Sequence, residues 1–175
     1  MNDHEIVPGV VIAALGPSER LLLGGLRLIA SGRGRCPMLV RGFESLLGSQ
    51  GSGAAQGAAI LAERLCAESG RKLTLGWMSI RGVTWDEAAI LALLEAAQRT
   101  DAPAIARWMS RLGIASPSPA LQRGLAWTAA AFSVAGKPFD PDVATLTQVK
   151  RSRIAQIRDQ IETQFGEGWP SPHAT

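Results

Sequence analysis

Glycine and proline cut this chain into helix-length pieces, and that spacing constrains the fold more than any other feature. Breaks fall at Gly16-Pro17, Gly32 to Gly34, Gly48, Gly70, Gly82, Gly113, Ser116 to Pro119 and Gly136-Lys137-Pro138. Glycine suits the residue after a helix and proline suits a helix's first turn, so the intervening pieces read as helices. The pattern predicts a mainly α fold, a bundle of about six to seven helices with at most one short β-hairpin near residues 73–83.

Apolar spacing sharpens the individual elements. The first helix is expected from about Glu19 to Ser31 behind Ser18 as N-cap. Its leucines lie on more than one face, which predicts a central, buried helix. A second opens at Cys36-Pro37 and ends at Gly48. A third runs from about Ala54 to Ser69, with Ala54, Ala58, Leu61, Leu65 and Cys66 toward the core. Thr84-Trp85-Asp86-Glu87 is a capping box ahead of Ile90, Leu91, Leu94 and Ala97. Asp101 caps a short fifth helix, and residues 119–135 form a sixth. Leu73-Thr74-Leu75 alternates and Trp77, Ile80 and Val83 follow, which is the strand signal. The arm at residues 1–16 is expected either to pair as a short extended edge or simply to pack on the body.

Composition changes beyond Gly136, where alanine thins and charge rises. The expected organisation is an arm at 1–16, a helical core at 17–136, an appended amphipathic helix at 137–165 and a disordered tail at 166–175. Along the appended helix Val143, Leu146, Ile154, Ile157, Ile161 and Phe165 share one narrow stripe, a candidate interface.

Of the 175 residues, 46% are hydrophobic but only 19% are charged, against the usual quarter or so. That deficit points to apolar surface covered by a partner, and a second copy of the chain is the expected one. The formal charge is +3, too small to imply a nucleic-acid partner by itself. Two cysteines do not make a disulfide scaffold, no secretory leader is legible, and no apolar run reaches the length of a membrane span. A cytoplasmic protein that does not use a membrane is the expectation.

The sequence also lacks familiar chemistry. It has no phosphate-binding P-loop, no HExxH zinc motif and no GxSxG elbow. Both histidines, His4 and His173, sit near the chain ends, poor positions for a base that must be held beside its proton. No metal site, no cofactor and no catalytic group is expected.

Two further places suggest function. Cys36, at a helix start beside arginines, is expected to be the more reactive thiol and a candidate redox or ligand-binding residue. Arg33, Arg35 and Arg41, with Arg20 and Arg27 on the preceding helix and glycines between, form a candidate anion-binding patch. The leading functional expectation is a non-enzymatic protein–protein interaction or regulatory module, acting as a homodimer. The alternatives are a DNA-binding transcriptional regulator and a small-ligand or redox sensor using Cys36.

Few cations on one face imply weak, non-specific DNA binding, with a dissociation constant of about a micromolar or more at physiological salt. Gel-shift titration of duplex DNA tests this. Tighter binding that disappears in an Arg33→Ala/Arg35→Ala double variant would instead establish the DNA-binding regulator.

Overall fold

The capping box starts the most enclosed helix among the described residues. A computed structural model describes residues 6–34 and 36–139. In it, helix α4 spans Trp85–Gln98, and every residue from Trp85 to Ala96 is buried. Thr84 Oγ1 accepts the Glu87 N–H at 3.2 Å, while Glu87 Oε2 accepts the Thr84 N–H at 2.9 Å. Both ends of the box are therefore closed, as its residue types demand.

Around α4 lie strand β1 (Ile6–Val11), helices α1 (Pro17–Leu28), α2 (Pro37–Leu47) and α3 (Gly51–Glu68), strand β2 (Gly82–Thr84), and helices α5 (Ala102–Arg111) and α6 (Pro119–Val134). The described residues thus form a mainly α fold with one small piece of sheet. Proline occupies the first turn of α1, α2, α5 and α6, where its missing N–H removes no helical bond. Asp101 and Ser118 cap α5 and α6 by accepting the N–H groups of Ala104 and Leu121.

Four local expectations change. The cap of α1 is Gly16, and the Ser18 hydroxyl instead donates to the Lys137 carbonyl at 3.1 Å. Proline at the first position already starts that helix, which frees the serine for a long-range bond. The centre of the bundle is α4 and not α1, because α1 keeps Leu21 and Leu28 only partly covered. Cys66 lies on the exposed side of α3. The small sheet is not closed within residues 73–83. Its strand β2 pairs antiparallel with β1 of the N-terminal arm, Ile6 opposite Thr84 and Val11 opposite Gly82.

The chain beyond α6 stays on the body through Phe139. That ring is buried and packs against Phe132 at a tilt of 40° with centroids 4.7 Å apart, and Phe132 meets Phe43 edge to face at 6.1 Å. Such aromatic pairs are each worth about 0.5–1.5 kcal/mol beyond the area they bury. The expected stripe at Val143, Leu146, Ile154, Ile157, Ile161 and Phe165, and the tail after it, lie outside the described residues.

Helices α3 and α6 approach closely because each offers a glycine at the crossing. A Cβ on Gly57 would stand 2.9 Å from Thr128 Oγ1 and 3.0 Å from its nitrogen. A Cβ on Gly124 would stand 2.9 Å from the Leu61 nitrogen and 3.2 Å from its Cα. Backbone atoms cannot swing aside, so a side chain at either position would have to push the helices apart.

Two substitutions of the same chemistry should therefore differ in sign. Gly24, on α1, has open space around its Cβ position. Gly24→Ala is expected to stabilise by roughly 0.5–1 kcal/mol. Gly124→Ala gains about 1 kcal/mol of helix propensity, but it forces a close-packed interface apart at a cost of about 1–3 kcal/mol. Urea midpoints should rise for the first variant and fall for the second.

Candidate functional site

Two consecutive acids at the start of α4, Asp86 and Glu87, hold down the long connection between α3 and β2. Residues 70–81 contain no strand or helix, yet they are tied at many points. Asp86 accepts the Arg71 guanidinium through both carboxylate oxygens, at 2.9 and 2.5 Å, and the Thr74 N–H at 2.7 Å. This pairing pushes the Arg71 guanidinium further up from its already high range. The Thr84 hydroxyl donates to the Thr74 carbonyl at 2.6 Å.

Glu87 holds the middle of the strap through a buried ion pair. Its side chain is fully enclosed, and Arg27 on α1 is only 3% exposed. Arg27 Nε and Nη2 donate to the two Glu87 oxygens at 2.6 and 2.7 Å. The other guanidinium hydrogens go to the carbonyls of Trp77 at 3.2 Å, Ile80 at 2.6 Å and Gly82 at 2.8 Å. All five N–H donors of the arginine are thus used. Glu87 also accepts the N–H groups of Gly76 and Thr84, each at 2.9 Å. Gly76 is required here, because a Cβ at that position would occupy the space of the guanidinium.

The strap presents apolar side chains outward. Residues 77–80 form a turn closed by the Ile80 N–H on the Trp77 carbonyl at 2.9 Å. Trp77 is 63% exposed and Met78 is 56% exposed. Both ends of that turn accept bonds from the Arg27 guanidinium, so the two large apolar side chains stand on an immobilised base.

The structure distributes the residues singled out from the sequence. Cys36 is half-buried just before α2 and makes no side-chain cap bond. Partial burial pushes the Cys66 thiol up, although the residue itself lies at the surface. Arg33 follows Gly32, which has a left-handed φ of 78°, and both Arg33 and Arg41 are exposed. Arg35 lies outside the described residues. Arg27 does not belong to the basic patch, because its charge is consumed by Glu87. Among the tryptophans, Trp85 and Trp108 are buried, and the guanidinium carbons of Arg107 and Arg111 lie 5.8 and 5.7 Å from the Trp108 ring centre.

Sequence reasoning recognised Glu87 as a cap but missed its partner, which is 60 residues away along the chain. It also missed Trp77 and Met78 as a surface feature. The only available signal was a large aromatic and a methionine between two glycines. Among the described residues no cluster of acidic, cysteine or histidine side chains is suited to hold a metal ion. No helix there is long and apolar enough to cross a membrane.

No protein-family model matches the chain, and neither the curated proteins nor the solved structures contain a match to it.

Replacing Glu87 by glutamine keeps the shape but turns one acceptor into a donor facing other donors. Removing one partner of a buried ion pair costs roughly 3–5 kcal/mol, and Glu87→Gln is expected to lose that much in urea unfolding. A loss smaller than about 1 kcal/mol, near that of a surface pair, would show that the ion pair does not hold the strap.

Proposed function

We propose that this chain is a non-enzymatic, cytoplasmic helical module that works by protein–protein contact, as a homodimer anchored by the Trp77–Met78 turn. The observation that carries the reading is the exposure of Trp77 and Met78 on a turn fixed by Arg27. Tryptophan is prominent among the few residues that dominate binding energy at interfaces. A contact made on a pre-ordered turn loses little conformational entropy on association. The low charged fraction, 19% of the chain, fits a surface that is partly covered in use.

The buried Arg27–Glu87 pair reads as structural, because each group spends its hydrogen bonds on the other and on the backbone of the strap. The nucleic-acid reading is weakened by the loss of Arg27 from the basic patch. A twofold dimer places the same patch on both copies, so a single substitution acts twice.

Light scattering at micromolar concentration is expected to give twice the chain mass of 18.5 kDa. Trp77→Ser should weaken the dimer by about tenfold or more, the scale of an interface hot spot. A monomer mass for the unaltered chain would refute the homodimer, and a dimer indifferent to Trp77→Ser would refute this anchor.

A further inference from the structure

The geometry points to a ligand site in the cleft between α3 and α6, shaped and charged for a small planar aromatic carboxylate. The inference is independent of the Trp77–Met78 surface, since the two share no residue. The cleft measures 290 Å³ and is lined by Gln56, Ile60, Glu63 and Arg64 on α3 and by Ala120, Arg123 and Trp127 on α6. It arises from the glycine crossing described above. Gly57 and Gly124 draw the two helix backbones together, so the flanking side chains splay outward and leave a furrow whose walls are regular helix. Ala120 is too short to fill its end.

Size comes first. Sites for drug-sized ligands run from about 300 to 1,000 Å³, so this cleft suits one ring system and not a dinucleotide or a folded cofactor. Its walls come second. Trp127 is 47% exposed, and its indole with the Ile60 side chain offers an apolar surface on which a flat ring can stack. Charge comes third. Among the described residues Arg123 makes no ion pair. Arg64 pairs with its neighbour Glu63 at 3.2 Å between two exposed side chains, and its charge also acts on Glu68. An exposed pair of that kind is weak enough to yield to a competing anion. Two guanidinium forks against one carboxylate leave the cleft with a positive excess, and the fork geometry matches a carboxylate by paired hydrogen bonds. The Gln56 amide adds a donor and an acceptor at the rim.

The test is isothermal titration calorimetry of the full chain with 2-naphthoate and with its uncharged counterpart 2-naphthamide. Saturable one-to-one binding of 2-naphthoate is expected at or below about a millimolar. The amide should bind at least about tenfold more weakly, because it cannot make charge-assisted bonds. Arg123→Ala should weaken 2-naphthoate by about tenfold, and Trp127→Leu should abolish its binding. Both residues are exposed, and an unchanged circular dichroism melt confirms that each variant folds. The site is overturned by the absence of saturable binding. Equal affinity for acid and amide, or affinity unaffected by either substitution, also overturns it. Dimer formation through Trp77 is read separately by light scattering, so the failure of one proposal leaves the other measurable.

Discussion

The ion pair between Arg27 and Glu87 is the constraint on which the rest of the structure depends. Burying a guanidinium and a carboxylate costs several kcal/mol for each ion, and attraction offsets that cost only when every donor and acceptor is satisfied. Here the condition is met without water. The five N–H groups of Arg27 reach two carboxylate oxygens and three backbone carbonyls, and each Glu87 oxygen accepts one bond from Arg27 and one from the backbone. The three carbonyls belong to Trp77, Ile80 and Gly82. A segment with no regular secondary structure therefore has its backbone polar groups satisfied by a side chain from α1. Without Arg27 these carbonyls would need another partner, and the strap from Trp77 to Gly82 would lose its side-chain anchor.

This arrangement explains which parts of the fold were legible in the sequence. The helices were, because proline starts, glycine stops and the Thr84–Glu87 box act within one or two turns. Their ends fall close to where those residues place them. The pairing of the strands was not. Leu73-Thr74-Leu75 alternates as a strand would, yet the Gly76 N–H and the carbonyls of Trp77, Ile80 and Gly82 are taken by Glu87 and Arg27. The groups of residues 76–80 are thus not available to a neighbouring strand, and the strand is confined to Gly82–Thr84, which pairs with the distant arm. Arg27 was misplaced for the same reason. On a helix between leucines and close to other arginines it reads as part of a cationic surface. Its acid lies on another helix, and linear spacing carries no sign of it.

Glu87 shows how one residue can satisfy a local rule and a global one together. As the third residue of the capping box it returns to the Thr84 N–H, and this alone accounts for its presence at that position. The same carboxylate neutralises Arg27 and holds Gly76. A reading that stops at the first sufficient explanation finds the helix start and misses the keystone. Asp86 is similar. It suits the positive end of α4, and it also clamps Arg71 and Thr74 at the beginning of the strap.

The division of the aromatic residues follows from where the backbone is fixed. Trp85 and Trp108 are buried, as large side chains in a dense bundle should be, whereas Trp77 and Trp127 remain open to solvent. The two exposed tryptophans do not sit on frayed segments. Trp77 stands on a turn bonded at both ends to a buried guanidinium, and Trp127 stands on a helix locked at its crossing by Gly57 and Gly124. Hydrophobic burial alone would have favoured drawing these rings inward. The local packing prevents that: the strap is too tightly tied to rotate Trp77 under itself, and the α3–α6 approach leaves no room for an indole beneath. Among the described residues each ring is thus an apolar surface held in place and open to solvent, the condition under which a partner or a flat ligand gains most from contact.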